Sequence, residues 1–238
     1  MGRGPSIEGR KNAEDARRGK IFTKLIREIT VAARNGADPA GNARLRIAID
    51  KALSSNMSKD TIERAVRRGS GADGADDMQE LRYEGYGPSG VALIIDAMTD
   101  NPVRTVADVR HALNKHGGNL GTSGSVAFQF ARVGEILVET GAEGSEDRVL
   151  EVALDAGADD VAADGGHTTV ICPPEAFEAV KKALADAGFA AVEAGVVMRP
   201  ANRVAVDGEV GETLRDLLDW LDELDDVQDV YHNADLPG

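Results

Sequence analysis

Lysine and arginine side chains dominate the start of the chain, and the chemistry they could do is the binding of phosphate groups. Residues 1–70 hold 16 Lys and Arg against 8 Asp and Glu, whereas the remainder of the chain holds 11 against 33. The net charge of −14 therefore hides a basic N-terminal region. Because charges in physiological salt are screened beyond about 8 Å, this region can attract a polyanion despite the acidic remainder.

The first basic residues fall on one face of a predicted helix. Arg10, Arg17, Lys20, Lys24 and Arg27 follow one another at helical spacing, and an apolar series occupies a different face. This pattern favours docking on phosphates over an ordinary solvated surface, which is the alternative. The candidate contacts in the region are Arg10, Lys11, Arg17, Arg18, Lys20, Lys24, Arg27, Arg34, Arg44, Lys59, Arg64, Arg67 and Arg68.

Residues 83–90 (YEGYGPSG) combine aromatic side chains with glycine and proline. One interpretation is a turn that uses left-handed backbone positions. The other is a surface loop in which Tyr83 and Tyr86 stack on a base or a peptide. The acidic stretch 211–226 is predicted to be a helix with its leucines inside and its carboxylates in solvent.

No catalytic constellation appears at useful spacing, whether Ser-His-Asp, paired carboxylates or a His/Cys ligand set. We therefore expect no enzyme, metal, cofactor or small-molecule substrate. Cys172 is the single cysteine, which excludes an intrachain disulfide and favours a reducing, cytoplasmic compartment. No run approaches the roughly 18 apolar residues that a membrane span needs.

Residues 1–70 predict an all-helical module. Residues 1–10 contain three glycines and a proline and are expected to form a flexible arm. Asn12 is a candidate cap for a first helix, and further helices are expected at 20–34, at 42–54 and from Ser58 to Arg68. Residues 71–79, rich in Gly, Ala and Asp, are expected to form a linker.

Strand patterns begin after this linker. We expect strands at 90–97 and 124–131 with a helix at 103–116 between them. Residues 134–199 then follow the β-α-β-β-α-β order of a ferredoxin-like unit. The tail adds a strand, a helix and a strand that can complete the unit begun at residue 80. The predicted fold is therefore α+β and multidomain: the helical domain, a discontinuous domain of 80–133 plus 200–238, and a ferredoxin-like domain of 134–199 inserted into it.

The chain resembles the YebC family over essentially its whole length. The motifs that carry this resemblance are residues 15–34, 42–51, 56–68, 83–88 and 117–126. The resemblance implies one helical and two α+β domains and a cytoplasmic, non-enzymatic protein that binds nucleic acid. The family is described as probable transcriptional regulators, with mitochondrial relatives described as translational activators. The resemblance also adds Arg104, in the stretch DNPVRT, to the phosphate contacts.

We expect a DNA-binding transcriptional regulator that contacts the phosphate backbone through its basic helices. The alternative is a translation factor that binds ribosomal or messenger RNA through the same surface. The scarcity of aromatic residues, 4% of the chain, fits recognition by shape and phosphate in either role. In both roles the acidic domains could bind a protein partner. A further alternative is a protein-interaction scaffold whose basic face binds an acidic protein.

Overall fold

The computed structural model describes the backbone of residues 7–74, 77–141 and 145–236, and the side chains of these ranges from residue 17 onward. These residues form two compact units. The first takes in the described residues up to Ser125 together with Ala205–Val230 and Leu236. The second takes in those of Val126–Val204 and Tyr231–Asp235.

Three helices open the first unit: α1 (Ile7–Ala33), α2 (Ala43–Ser54) and α3 (Lys59–Gly69). Asn42 and Ser58 cap α2 and α3, each accepting a backbone N–H three residues on with its side-chain oxygen. Buried alanines and aliphatic residues from all three helices form one core, which includes Ile29, Leu45 and Ile62. A Cβ at Gly69 would overlap the backbone of Thr30, so α1 and α3 touch at a point that only glycine permits.

The N-terminal arm and the two separate helices predicted up to residue 34 are wrong where the structure describes them. The backbone runs as a single helix from Ile7 to Ala33, with Gly9 and Gly19 inside it. A glycine inside a helix costs only about 1 kcal/mol relative to alanine, which the packed second half of α1 can offset. Residues 1–6 lie outside the described residues.

The first unit also holds a four-stranded sheet in the order β3-β1-β2-β9. Its strands are β1 (Gln79–Tyr86), β2 (Ala92–Thr99), β3 (Asn119–Leu120) and β9 (Val227–His232). β1 and β2 form an antiparallel ladder from Gln79 opposite Thr99 to Tyr86 opposite Ala92. Helices α4 (Pro102–Lys115) and α7 (Gly208–Glu223) belong to the same unit, and each buries leucine. The sequence after residue 204 thus returns to this sheet.

The second unit is a four-stranded sheet with two helices. Its elements are β4 (Phe130–Glu139), α5 (Ser145–Asp155), β5 (Asp160–Asp164), β6 (His167–Cys172), α6 (Phe177–Asp186) and β7 (Ala191–Pro200). The strand order is β5-β6-β4-β7, with antiparallel neighbours, which is the ferredoxin-like arrangement. Gly134 lets β4 pass beneath the fully buried Phe177. Two-residue strands β8 (Val204–Ala205) and β10 (Ala234–Asp235) complete the elements.

The strand predicted at 124–131 is wrong. Val126, Phe128 and Phe130 alternate with smaller or polar residues, which predicts that all three face one side of a strand. Instead, Ala127–Gln129 form a 3-10 turn, and β4 begins at Phe130. The turn buries Val126 and Phe130 but leaves Phe128 79% exposed.

The α+β class is confirmed: a helical region comes first and sheet-containing units follow. The boundaries predicted for the discontinuous and inserted domains stay a prediction. Within the described ranges, every helix is too short or too polar to traverse a lipid bilayer.

Candidate nucleic-acid interface

From Lys20 to Arg27, the basic face of α1 is engaged by acidic residues of the protein itself. Lys24 donates to Asp222 at 2.6 Å, and Lys20 pairs with Glu223. Both acids lie at the end of α7, near the opposite end of the chain. The side chain of Lys24 is only 19% exposed. These cations are therefore partly covered and partly neutralised.

Asp226, just after α7, holds this arrangement together. Its carboxylate accepts hydrogen bonds from Arg27 at 2.7 Å, from Arg104 at 2.9 Å and from the Thr105 hydroxyl at 2.8 Å. The Asp226 side chain is 8% exposed. Burial alone would raise the pKa of Asp226, but the donated hydrogen bonds outweigh it and hold that pKa below its ordinary value. Asp226 thus joins α1 to α4 through a buried charge network.

Arg34 and Arg44 are also engaged by the protein itself. Arg34 donates to the carbonyl oxygen of Met78. Arg44 pairs with Glu28 and, through both oxygens of the carboxylate, with Glu80. The hydrogen bonds from Arg44 lower the pKa of Glu80. These two arginines connect the helical module to the sheet of the same unit.

A cleft of about 630 Å³ lies beside these ion pairs. Acidic side chains outnumber basic ones along its wall, because Asp100, Asp108 and Asp225 join the acids already described. The predicted contact Arg104 lines this cleft and also pairs with Asp100. An anion placed there would meet carboxylates that the arginines and the lysine only partly balance.

The outer face of α3 is different. Ile62, Ala65 and Gly69 are buried along one side, which leaves the basic residues on the other side in solvent. Arg64 pairs with Asp60 at 3.2 Å and Arg67 with Asp73 at 2.7 Å, but the two arginine side chains remain 69% and 66% exposed. Lys59 and Arg68 are exposed as well, and no described residue forms an ion pair with Lys59. Because exposed pairs contribute about 0–1 kcal/mol, a phosphate can replace them at little cost.

The predicted contacts at the start of α1 divide between described and undescribed side chains. Arg17 and Arg18 are exposed. Arg10 and Lys11 lie within the helix, but their side chains fall outside the described residues. Arg17 and Arg18 therefore join the outer face of α3 as the accessible cations of the helical module.

The structure places Tyr83 and Tyr86 in strand β1 and not in a surface loop. Both side chains are half-buried, and the Tyr86 hydroxyl donates to the carbonyl oxygen of Ser125 at 3.1 Å. Burial, followed by the nearby Asp226, raises the pKa of Tyr83. This placement fits the turn interpretation of residues 83–90 better than the stacking loop.

Two glycine-rich motifs pack directly on each other beside these tyrosines. A Cβ at Gly118 would overlap the carbonyl oxygen of Tyr86, and one at Gly85 would lie 2.7 Å from the carbonyl oxygen of Asn119. The buried carboxylate of Glu84 accepts the N–H of Gly124 at 2.5 Å. The glycines thus permit a close backbone contact, and Glu84 fixes it.

Sequence reasoning missed the acids of this site. The prediction that the stretch 211–226 leaves its carboxylates in solvent holds for Asp222 and Glu223, which stay 75% and 67% exposed although they pair with lysines. It is wrong for Asp226, which is 8% exposed and pairs with Arg27. No local pattern marks these three acids among their equally acidic neighbours. The one available signal was the opposite charge of the two regions, which predicts attraction but no register.

Comparisons with known proteins agree with this architecture. Residues 4–72 match the family model described as the TACO1/YebC protein N-terminal domain, and residues 78–234 match that of the TACO1/YebC second and third domain. A probable transcriptional regulatory protein of Xanthomonas campestris is 58% identical over 99% of this chain and 98% of its own length. A protein of the same name from Stenotrophomonas maltophilia is 57% identical over the same shares. The crystal structure of a conserved hypothetical protein from Aquifex aeolicus has a TM-score of 0.83 and 43% identity, covering 94% of this chain and 93% of that one.

Proposed function

The chain belongs to the TACO1/YebC family, and from this premise we propose that it is a non-enzymatic regulator that binds nucleic acid through the exposed cations of its helical module. The proposed contacts are Arg17, Arg18, Lys59, Arg64, Arg67 and Arg68, with Arg10 and Lys11 of α1 as further candidates. DNA is the first proposed target, because relatives are named probable transcriptional regulatory proteins.

One observation carries this proposal: α3 is held by a buried apolar side and presents four basic residues on its other side. A helix fixed in this way loses little backbone freedom when a phosphate backbone docks on it. Phosphate contacts position a protein on nucleic acid without reading its sequence. The proposed interface therefore supplies affinity and orientation on the nucleic acid but no recognition of its sequence.

The cations that the first unit pairs internally receive a structural role in this proposal. The helical module is held to the acidic end of α7 and to the adjacent sheet by Lys20, Lys24, Arg27, Arg34 and Arg44. Arg104 of α4 shares Asp226 with Arg27. Recruiting them for phosphates would expose the carboxylates that they now neutralise. The proposed binding surface is thus smaller than the basic composition of residues 1–70 implies.

A salt titration of the full-length protein tests the proposal. Fluorescence anisotropy would follow binding to labelled duplex DNA and to a structured RNA between 50 and 200 mM salt. If the four basic residues of α3 alone contact phosphates, the logarithmic slope is roughly −3.6, which corresponds to a roughly 150-fold loss of affinity over this interval, and contacts from α1 would make it steeper. A flat response, or no binding, would overturn the proposal.

The same titration separates the two targets. Purified ribosomes and unlabelled RNA would serve as competitors against the labelled duplex. Preferential displacement by duplex DNA supports transcriptional regulation, whereas preferential displacement by ribosomes or RNA supports the translational alternative. Equal displacement by all of them would mean that the surface recognises only phosphate.

A further inference from the structure

Phe128 is the most exposed large apolar side chain of the described residues. The other four phenylalanines are buried or half-buried. Residues on either side of Phe128 show that the chain could have buried it, since Val126 is fully buried and Phe130 is 9% exposed. The backbone instead forms a turn that directs this ring outward. A single exposed apolar side chain is ordinary on a protein surface, so the case for a ligand at Phe128 depends on what surrounds the ring.

The turn that carries Phe128 is held on both sides. Within it, the N–H of Gln129 donates to the carbonyl oxygen of Val126 at 2.9 Å. The carbonyl oxygen of Gln129 accepts the N–H of Ala201 at 2.9 Å, and its side chain accepts from Asn233 at 3.3 Å. The ring is therefore presented by an ordered backbone, so a ligand that stacks on it does not first have to order a loop.

Three cations lie close to this turn in sequence or in strand register. Of the six lysines and arginines in the second unit, Arg132 follows the turn on β4, and Arg203 lies two residues beyond Ala201. A third, Arg199, stands opposite Ala131 in the β4–β7 ladder and pairs with Glu135 at 2.6 Å. Arg132 and Arg203 are exposed, and neither pairs with an acid in the described part of the chain. Arg203 also lies close enough to His232 to lower the pKa of that imidazole, after burial, which is the larger cause.

We propose that Phe128, Arg132 and Arg203 bind one unpaired nucleotide of a single strand. The base stacks on the Phe128 ring, and the neighbouring phosphates contact the two arginines. This combination of an aromatic face with nearby cations is how proteins hold unpaired bases without reading their sequence. Inside a duplex a base is stacked on both sides, so the ring can reach only an unpaired one.

A nucleotide fits this surface better than an apolar protein partner does. Protein anchors of this size sit within a wider apolar patch. Next to Phe128 in the chain, Gln129 is polar, and Asn202, Arg203 and Arg132 of the flanking segments are polar or charged and exposed. The acidic character of the rest of the unit also makes this local excess of positive charge a specific feature.

The inference rests on the proposed binding of nucleic acid and adds a contact in the second unit. The test compares the full-length protein with Phe128→Ala, using a short single strand that carries 2-aminopurine and a duplex of the same sequence. We expect Phe128→Ala to weaken binding of the single strand about tenfold and to leave duplex binding unchanged. Binding to the wild type should change the 2-aminopurine fluorescence through stacking, and the variant should lose that change.

Two further variants serve as controls. Phe128→Tyr keeps a ring and should retain both the affinity and the fluorescence change. Val192→Ala, which removes another exposed apolar side chain of the same unit, should have no effect. Because Phe128 is exposed, its replacement leaves the core intact, and thermal unfolding would verify this.

The outcomes separate this inference from the proposed function. Equal affinity and equal fluorescence change in the wild type and Phe128→Ala would overturn the stacking site. Salt-dependent duplex binding in that case would leave the proposed function standing, whereas failure of the wild type to bind any nucleic acid would overturn the proposed function itself. Unchanged single-strand binding together with loss of ribosome binding in Phe128→Ala would likewise overturn the single-strand site, because the ring would then contact a structured part of the ribosome.

Discussion

Helices α1 and α3 both carry rows of basic residues, but the two rows have different surroundings. The α1 row meets the acidic end of α7, where Asp226 is 8% exposed and Lys24 19%. The α3 row faces solvent, where the side chains of Arg64 and Arg67 are 69% and 66% exposed. Positive charge on a helix is thus used in two ways: on α1 it holds the first unit together, and on α3 it stays available.

Charge counts along a sequence therefore do not identify a binding surface. The N-terminal region carries a large positive excess, yet part of it is cancelled by acids from the other end of the chain. What matters is whether an acid is brought close and whether water is excluded from the pair. Burial strengthens such pairs, and it also makes them costly to break.

The largest expected effect of a single substitution is at Asp226. Asp226→Asn removes the charge that Arg27 and Arg104 share in a buried site, and we expect it to destabilise the protein by about 3 kcal/mol. Urea denaturation would measure this as a lower midpoint at unchanged slope.

Asp222→Asn is the matched control for that experiment. Asp222 pairs with Lys24 but is 75% exposed, so its replacement should cost less than about 1 kcal/mol. An equal loss of unfolding free energy in the two variants would show that the buried pair is no more important for stability than the exposed pair.

Acid should weaken both the Asp226 network and the separate pair of Glu80 with Arg44. The pKa of Asp226 and that of Glu80 are both lower in the folded protein than their ordinary values. Their contribution is therefore present above about pH 4 and is lost as pH falls through the folded values. Urea midpoints measured from pH 7 to pH 3 should fall steeply below about pH 4 in the wild type and less steeply in Asp226→Asn. An identical acid dependence in the two proteins would contradict the role of Asp226.

A smaller effect is expected for the exposed end of the α1 row. A double-mutant cycle with Lys24→Met and Asp222→Ala should give a coupling of about 0.5 kcal/mol, because one partner is well solvated. Thermal or urea unfolding of the four proteins would measure it. A coupling of several kcal/mol would place this pair with the buried network of Asp226.

Much of the fold was accessible from the sequence because its signals are local. The caps at Asn42 and Ser58, the helical spacing of the apolar residues and the alternation of helices and strands all act within a few residues. The local rules failed at Gly19, which sits inside a helix, and at Phe128, where alternation predicted a strand. In both places contacts beyond the local sequence determine the structure. Packing of α1 offsets the cost of the glycine, and a turn that is hydrogen-bonded to Ala201 directs the Phe128 ring into solvent.

The candidate site was accessible only in part. Helical spacing predicts that Lys20, Lys24 and Arg27 share one side of α1. In the structure all three pair with acids at or just after the end of α7, which agrees with that prediction. It could not reveal those acids, since nothing local sets the register between segments at opposite ends of the chain. The contact between the two glycine-rich motifs, which Glu84 fixes, also joins segments distant in sequence, so no local pattern predicts it. Whether the α3 cations contact phosphate stays a prediction.

A comparison of two double variants tests the contrast between the helices most directly. Arg67→Gln with Arg68→Gln removes two charges from α3, and Lys20→Gln with Lys24→Gln removes two from α1. For binding to duplex DNA, we expect the first variant to reduce the steepness of the logarithmic salt dependence by about 0.9 per lost contact, and the second to leave it at the wild-type value. A reduced slope in the α1 variant together with a wild-type slope in the α3 variant would contradict the account.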